Sequence, residues 1–236
     1  MAHPRLAQKT GEPAKERILV AAEKLFGDAG FNQTTARRIA QAADVPVALI
    51  NYHYGSKEGL YRAIFELRAP VIRDQRVVGL KLAASEPDRD RRAELIVKAL
   101  ILPMFGLRDD DSGGAFGRIL TRELSAPGSE GRDIFRDMFD PVAEMMLDAL
   151  AECFPDWTTA EVHWAYHTML GAMMIVMSDN GRIARLSGGV VSAEDHAVAA
   201  RHMVAILTAG LKHRDRSLTA PTAASGPSND HKGRDT

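Results

Sequence analysis

One segment, which runs from Thr34 to Lys57 and reads TTARRIAQAADVPVALINYHYGSK, constrains the fold of this chain more than any other. A threonine at its start, Thr34 or Thr35, can cap a helix. The apolar residues that follow recur at helical spacing and share one face: Ile39, Ala40 and Ala43. After them Asp44 stands where the chain reverses, and Asp suits a turn because its short side chain can bond nearby backbone groups. The pattern predicts a helix, a tight turn and a second helix.

The second helix of this segment is short and begins near Pro46, whose fixed φ suits a first helical turn. The residues expected to pack against the first helix are Val45, Ala48 or Leu49, and Tyr52. The opposite face carries Val47, Asn51 and His53. Because so short a helix cannot bury every side, one face stays open. DNA-binding proteins use this arrangement to place a helix in the major groove.

Charge is distributed unevenly along the chain, whose formal net charge is −1. Residues 1–76 hold 12 Lys and Arg against 8 Asp and Glu, whereas the remainder holds 18 against 23. A basic N-terminal third can meet phosphates while an acidic remainder stays clear of them. The alternative is ordinary scatter of charge along the chain.

Composition limits the class of protein. With 236 residues, 45% of them apolar, the chain can form one large or two small domains. Its one cysteine, Cys153, excludes an internal disulfide and a cysteine-based zinc site. The first residues lack the apolar core of a signal peptide, and the longest apolar run, Met169 to Met177, is far shorter than the roughly 20 residues of a membrane span. We therefore expect a soluble, cytoplasmic protein without a cofactor or a bound metal.

The rest of the sequence has the apolar spacing of helices and few of the alternating runs that indicate strands. We predict an all-α fold of about nine helices, separated by Gly, Pro and Asp clusters. The second and third lie between Thr34 and Lys57, and the others are expected at about 13–28, 56–84, 88–106, 114–125, 131–154, 158–180 and 193–213.

Residues 14–65, AKERILVAAEKLFGDAGFNQTTARRIAQAADVPVALINYHYGSKEGLYRAIF, resemble the TetR family of bacterial transcriptional regulators. INYHYGSKEGLY, with TRELSAPGSEG further on, is similar to the subgroup of CecR-type regulators. The resemblance implies an all-α homodimer with a three-helix DNA-binding head and a larger body for ligand binding and dimerisation. We expect a flexible arm at 1–12, the head at 13–58, the body at 59–216 and a disordered tail at 217–236.

By motif position, the resemblance places one group of residues near DNA bases: Arg37, Val47, Ala48, Leu49 and Asn51. It places a second group near phosphates: Thr35, Tyr52, His53 and Lys57. These side chains suit the roles, since Arg can bind guanine through two hydrogen bonds and apolar groups can meet a thymine methyl. Many relatives are polar at positions 46 and 47 and carry Tyr at 51, so the bases that this chain reads stay open. A structural alternative is that Tyr52 and His53 mainly pack the helix.

Nine of the ten methionines lie after residue 100, where they could line an effector pocket, because methionine adapts to varied apolar partners. The pocket candidates are Met104, Phe105, Phe116, Met138, Met145, Trp164, His167 and Met174. The alternative for each is an ordinary core position. Arg118 and Arg122, one helical turn apart, could bind an anionic group of a ligand, or pair with a neighbouring helix.

The last two long helices are apolar on more than one face, which suits subunit packing in a four-helix interface. The interface candidates are Val162, Tyr166, Met169, Met173 and Val176 on one helix and Ala199, Met203, Ile206 and Gly210 on the other. A two-fold dimer of this kind requires an inverted-repeat operator.

The most consistent function is a ligand-responsive transcriptional regulator, a repressor that a small, largely apolar effector releases from double-stranded DNA. A helical-bundle metalloenzyme is an alternative, since His163 and His167 lie one helical turn apart. No third metal ligand stands at a recognisable spacing, and no pairing of a nucleophile with a base is visible. A protein-interaction module whose head does not bind DNA is a third possibility.

Overall fold

The structure, a computed structural model, describes residues 13–106, 114–125, 133–178, 181–192 and 194–213. These residues form eleven α-helices and no strand, which confirms the all-α prediction. The helices are α1 (Ala14–Ala29), α2 (Ala36–Ala43), α3 (Ala48–Tyr54), α4 (Lys57–Ala84), α5 (Arg89–Gly106), α6 (Ala115–Ser125), α7 (Ile134–Met138), α8 (Asp140–Cys153), α9 (Thr159–Met177), α10 (Arg182–Leu186) and α11 (His196–Lys212). The predicted arm at 1–12 and tail at 217–236 lie outside the described residues.

The described residues hold two helices more than the nine predicted. The helix expected at 131–154 is divided into α7 and α8 at Phe139, whose φ is −120°. Pro141 follows in the first turn of α8, where it has no amide hydrogen to donate to the carbonyl of Asp137. The additional helix α10 is a single turn that buries no residue, so no apolar periodicity marks it in the sequence.

Side-chain caps set where several helices begin, because a side-chain oxygen can accept from the unpaired amides of a first turn. Thr35 caps α2, one of the two threonines predicted to do so, and Ser56 caps α4. Thr158 and Glu161 form a reciprocal capping box at α9, and Asp195 caps α11.

The long helix α4 joins the N-terminal three helices to the rest of the molecule. Its buried face contributes eight residues to one continuous core of the described residues: Leu60, Tyr61, Ile64, Phe65, Ala69, Ile72, Leu80 and Ala83. It lies closely against α5 at Gly79, where an added Cβ would come within 2.8 Å of the Cβ of Ala99. Any change in the tilt of α4 therefore moves the N-terminal helices relative to α5.

The junction between α3 and α4 depends on Gly59. A Cβ added there would overlap the backbone carbonyl oxygen of Tyr54, which cannot move without shifting the end of α3. The third helix is thus held directly against the start of α4.

Candidate nucleic-acid interface

The turn between α2 and α3 lies at Asp44, as predicted from the sequence. Asp44 adopts a left-handed conformation, with φ 52° and ψ 55°, and its amide donates to carbonyls in the last turn of α2. Arg17 of α1 fastens this turn, because its Nε donates to the carbonyl of Ala43 at 3.2 Å and its Nη2 to that of Asp44 at 3.4 Å. A cation at the carboxyl end of a helix also opposes the negative end of the helix dipole.

Ile50 is the buried anchor of α3, with none of its surface exposed. Tyr54, one turn later, donates its hydroxyl to the carbonyl of Lys15 in α1 at 2.7 Å, and burial raises its pKa. Of the residues predicted to pack inward, Val45 and Leu49, the alternative to Ala48, are half-buried against the core, whereas Tyr52 is exposed. The error is one of register, because residues 50 and 54 share the inner face of a helix that begins at 48.

With Ile50 turned inward, α3 presents an open face. Six of the nine predicted DNA contacts are exposed: Thr35, Arg37, Val47, Ala48, Asn51 and Tyr52. Tyr52 is 81% exposed, which removes the alternative that it packs the helix. Leu49 and His53 are half-buried beside this face. Ala48, Asn51 and Tyr52 lie three and four residues apart and so share one open face of α3, while Thr35 and Arg37 are exposed at the start of α2.

Lys57 has a structural role that the sequence did not reveal. Its Nζ donates to the carbonyl of Phe31 at 3.1 Å and lies 4.0 Å from the centre of the Phe31 ring. Arg38 is similarly held, since its Nη1 donates to the carbonyl of Gln33 at 3.2 Å. Replacing Lys57 would therefore alter the packing of the loop after α1 as well as any phosphate contact.

Arg118 and Arg122 bind the C-terminal end of α1, which corrects their assignment to the pocket. Arg122 Nη1 donates to the carbonyl of Gly27 at 2.7 Å and Nη2 to that of Asp28 at 3.1 Å. Arg118 Nη2 forms an ion pair with Asp28 Oδ1 at 3.0 Å. The two guanidinium groups attach α6 to α1, so they couple the body to the N-terminal helices.

The remaining pocket candidates do not surround one cavity. Four of them are core residues: Met104, Phe105, Phe116 and Met174. Met138 is half-buried, whereas Met145, Trp164 and His167 are exposed. Of these eight, Phe105 alone lines a described cavity, an open groove of about 520 Å³ between the end of α5 and the start of α11. Two of the four predicted pocket methionines, Met104 and Met174, are therefore core residues in this structure.

A second cavity, of about 540 Å³, lies where the end of α9, the short helix α10 and the start of α11 meet. Its lining is mainly aliphatic and includes Ile175, Val176, Ile183, Leu186, Val198 and Met203. The sequence analysis did not anticipate this cavity, because α10 itself was not predicted.

The residues that point outward from α9 and α11 are not all those predicted for the subunit interface. Val162, Met169, Met173 and Met203 are buried inside the chain, and Tyr166, Val176 and Ala199 are half-buried. Residues buried in one chain cannot also contact a second, so the first four are corrected to core positions. Ile206 and Gly210 are exposed as predicted. The outward stripe of α9 is instead formed by Trp164, Gly171 and Ile175.

The described residues form neither a grouped set of metal ligands nor a membrane-spanning helix. Within the described ranges no three His, Cys, Asp or Glu side chains are grouped so that they could hold a metal. His163 Nδ1 lies 2.8 Å from the carbonyl of Thr159 in its own helix. In the same part of the chain, no helix has the length and apolar character needed to cross a bilayer.

One buried residue escaped the sequence analysis. Arg76 lies on the inner face of α4, one turn from Ile72 and one turn from Leu80, and is 4% exposed. Its position within that apolar stripe was visible in the sequence, because a charge at the spacing of core residues is unusual.

Comparison with known proteins identifies the family. Residues 18–64 match the family described as bacterial regulatory proteins, tetR family, and residues 98–210 match the tetracyclin repressor-like C-terminal domain. The chain is 30% identical to the transcriptional dual regulator CecR of Shigella flexneri over 158 residues, which are 65% of this chain and 68% of CecR. The chain belongs to the TetR family. It is accordingly a transcriptional regulator with an N-terminal DNA-binding helix-turn-helix and a ligand-binding C-terminal domain.

Other relatives match a shorter part of this TetR-family chain or share its fold at lower identity. The regulatory protein RaaS of Mycobacterium tuberculosis is 34% identical over 111 residues, which are 47% of this chain and 51% of RaaS. The structure of the fatty acid degradation regulator FadR from Bacillus halodurans matches 87% of this chain and all of that one, with a TM-score of 0.55 and 17% identity. FadR from Bacillus subtilis in complex with stearoyl-CoA matches 83% of this chain and 98% of that one, with a TM-score of 0.54 and 14% identity. These structures share the fold.

Proposed function

We propose that this regulator is a repressor that binds an inverted-repeat operator as a homodimer and is released by a small, largely apolar effector. The observation that carries the proposal is the open face of α2 and α3, where Arg37, Asn51 and Tyr52 are exposed on helices anchored from behind by Ile50. We place the DNA-binding head at residues 13–58 and the body at 59–216.

Base reading falls to the exposed positions at the centre of this face. Arg37 can donate two hydrogen bonds to a guanine, Asn51 can pair with an adenine, and Val47 and Ala48 can meet thymine methyl groups. Thr35, Tyr52 and His53 lie at the edges, where hydroxyl and imidazole groups reach phosphates. Lys57 retains donors for a phosphate beyond the one that it gives to Phe31. Binding to the chromosome would place the protein in the cytoplasm.

Dimerisation is proposed through the outward faces of α9 and α11. Trp164 and Ile175 on α9 are 69% and 66% exposed, and Ile206 on α11 is 69% exposed. Small residues, Gly171 on α9 and Gly210 on α11, lie exposed among these side chains and allow close helix approach. Large apolar groups along two helices favour burial against a second copy. A two-fold dimer then presents two α3 helices to half-sites about one turn of DNA, roughly 34–36 Å, apart.

Release by an effector is proposed to act through α4 and α1. The long helix α4 extends from the head into the body, and α6 holds the carboxyl end of α1 through Arg118 and Arg122. A ligand that favours a body conformation with a different tilt of α4 moves the two heads out of register with the operator. Linkage requires that DNA weaken the binding of ligand by the same factor.

The test begins with DNA upstream of the regulator's own gene and of its neighbours. We expect the full-length protein to shift a fragment that contains an inverted repeat, with an affinity that falls as salt rises because phosphate contacts release counterions. A fragment of equal length with the repeat shuffled is the control. Equal binding to both fragments would contradict the proposal and favour a head without operator specificity.

A further inference from the structure

Arg76 is a cation buried within the core of the ligand-binding domain. It lies on α4 between Ile72 and Leu80, which are 0% and 6% exposed, and α5 covers it near Leu100. Long charged side chains are rarely buried without a partner, because removing the charge from water is costly. An arginine at this position therefore requires an explanation beyond packing.

The guanidinium of Arg76 keeps one buried donor, Nε, without a hydrogen-bond partner in the described part of the chain. Nη2 donates to the carbonyl of Leu100 at 3.4 Å, a long bond. Burial lowers the pKa of Arg76 to about 10, so the group stays protonated at neutral pH. A guanidinium offers five donors in one plane, and an acid group with two oxygens fits that arrangement.

Tyr166 of α9 offers a second donor. It is half-buried and interacts electrostatically with Arg76. Burial raises the pKa of Tyr166, so the hydroxyl keeps its proton. Within the described ranges no ion pair joins Arg76 to a carboxylate.

We propose that Arg76 and Tyr166 bind the carboxylate of an effector whose remaining part is apolar. The inference rests on the proposed ligand response and names the chemical class of the ligand. A single negative charge balances the single guanidinium, whereas a phosphate dianion would leave an excess charge in an apolar core. The neighbours Ile72, Leu80 and Leu100 suit a hydrocarbon chain or ring.

The position of Arg76 also suits regulation. It lies roughly 28 Å along α4 from Lys57, at a rise of about 1.5 Å per residue; it donates to Leu100 of α5, and it interacts electrostatically with Tyr166 of α9. A carboxylate held between α4 and α9 draws the two helices together at the end of α4 remote from the head. The helix then transmits a small displacement of one end as a tilt at the other.

The test compares the full-length protein with Arg76→Met, a side chain of similar length without charge, and with Tyr166→Phe. The probes are straight-chain carboxylates from acetate to decanoate, the primary alcohols of the same lengths, and sodium chloride. The measurements are the thermal midpoint and the dissociation constant from calorimetry. We expect at least one carboxylate to bind about tenfold or more tightly than its alcohol, as a charged hydrogen-bond pair requires. We expect Arg76→Met to remove this difference and Tyr166→Phe to reduce it.

A merely structural arginine would give the opposite result for stability. Without ligand we expect Arg76→Met to raise the thermal midpoint, because it removes an uncompensated buried charge, whereas loss of a structural contact would lower it. The inference is overturned if no carboxylate of the series binds more tightly than its alcohol, or if Arg76→Met binds the carboxylates as tightly as the unsubstituted protein does. It is also overturned if sodium chloride raises the thermal midpoint as much as the carboxylate does. Operator binding by the unsubstituted protein and by Arg76→Met is measured in parallel. If neither protein binds the operator, that result counts against the proposed function and not against this site.

Discussion

Arg122→Ala tests whether the body holds the head through the end of α1. The guanidinium donates to three consecutive carbonyls, those of Phe26 at 3.2 Å, Gly27 at 2.7 Å and Asp28 at 3.1 Å. A hydrogen bond from a charged group contributes about 1.5–3 kcal/mol when sheltered, and a cation at a helix end adds about 0.3–1 kcal/mol. Because Arg122 is exposed, solvent reduces these values, and we expect the free energy of unfolding to fall by about 1–2 kcal/mol in total.

In a domain of this size that loss lowers the thermal midpoint by about 2–8 °C, measured by circular dichroism at one protein concentration. Arg73→Ala is the matched control, since Arg73 pairs only with its exposed neighbour Asp74 among the described residues and should change the free energy by less than about 0.5 kcal/mol. If Arg122→Ala is no more destabilising than Arg73→Ala, the hydrogen bonds from α6 to the end of α1 do not contribute to stability. Because these bonds connect the body to the head, we also expect the effector to release Arg122→Ala from DNA less completely.

Three further predictions concern the head. Ile50→Ala should lower the free energy of unfolding, measured by urea titration, by about 2–4 kcal/mol. Tyr52→Ala, two residues away on the exposed face, should change that free energy by less than about 0.5 kcal/mol but should weaken operator binding in a gel shift. Gly59→Ala should lower the free energy of unfolding by about 1–3 kcal/mol in the same titration, because its Cβ meets the carbonyl of Tyr54. Gly106→Ala is the control, since a Cβ there meets nothing within 4 Å. Equal stability of the two variants would show that α3 and α4 can separate freely. Arg37→Ala should reduce discrimination between the operator and a site mutated at one guanine by about 1–3 kcal/mol, and an unchanged ratio would remove Arg37 from base reading.

The fold was predictable from local signals that do not depend on distant contacts. Thr35 and Ser56 stand before helices that they cap, Asp44 stands at a reversal, and the apolar spacing around them is helical. The split at Phe139 was missed because the apolar pattern continues through it, although Pro141 was a visible reason for a break. The single turn α10 buries nothing and leaves no pattern to detect.

The faces of the helices were harder to predict than the helices themselves. A period of 3.6 residues shows that α9 is apolar, but Met169 and Trp164 differ only in which way they point, and that depends on the packing of α5, α6 and α11. For the same reason Arg122 was predicted to line a pocket, whereas in the structure it binds carbonyls at the end of α1. Only tertiary contacts, over many residues of separation, decide such positions.

The central claim is that two heads of one symmetric dimer read the two halves of an operator at a fixed separation. Once the operator is found, about 5 base pairs, half a turn of DNA, are inserted between its half-sites, and the dissociation constant is measured at one salt concentration. We predict that the insertion weakens binding by about 100-fold or more, towards non-specific affinity, because the second half-site then faces away from the second head. Binding that is unchanged by the insertion would contradict the account, since it would mean that the half-sites are read independently.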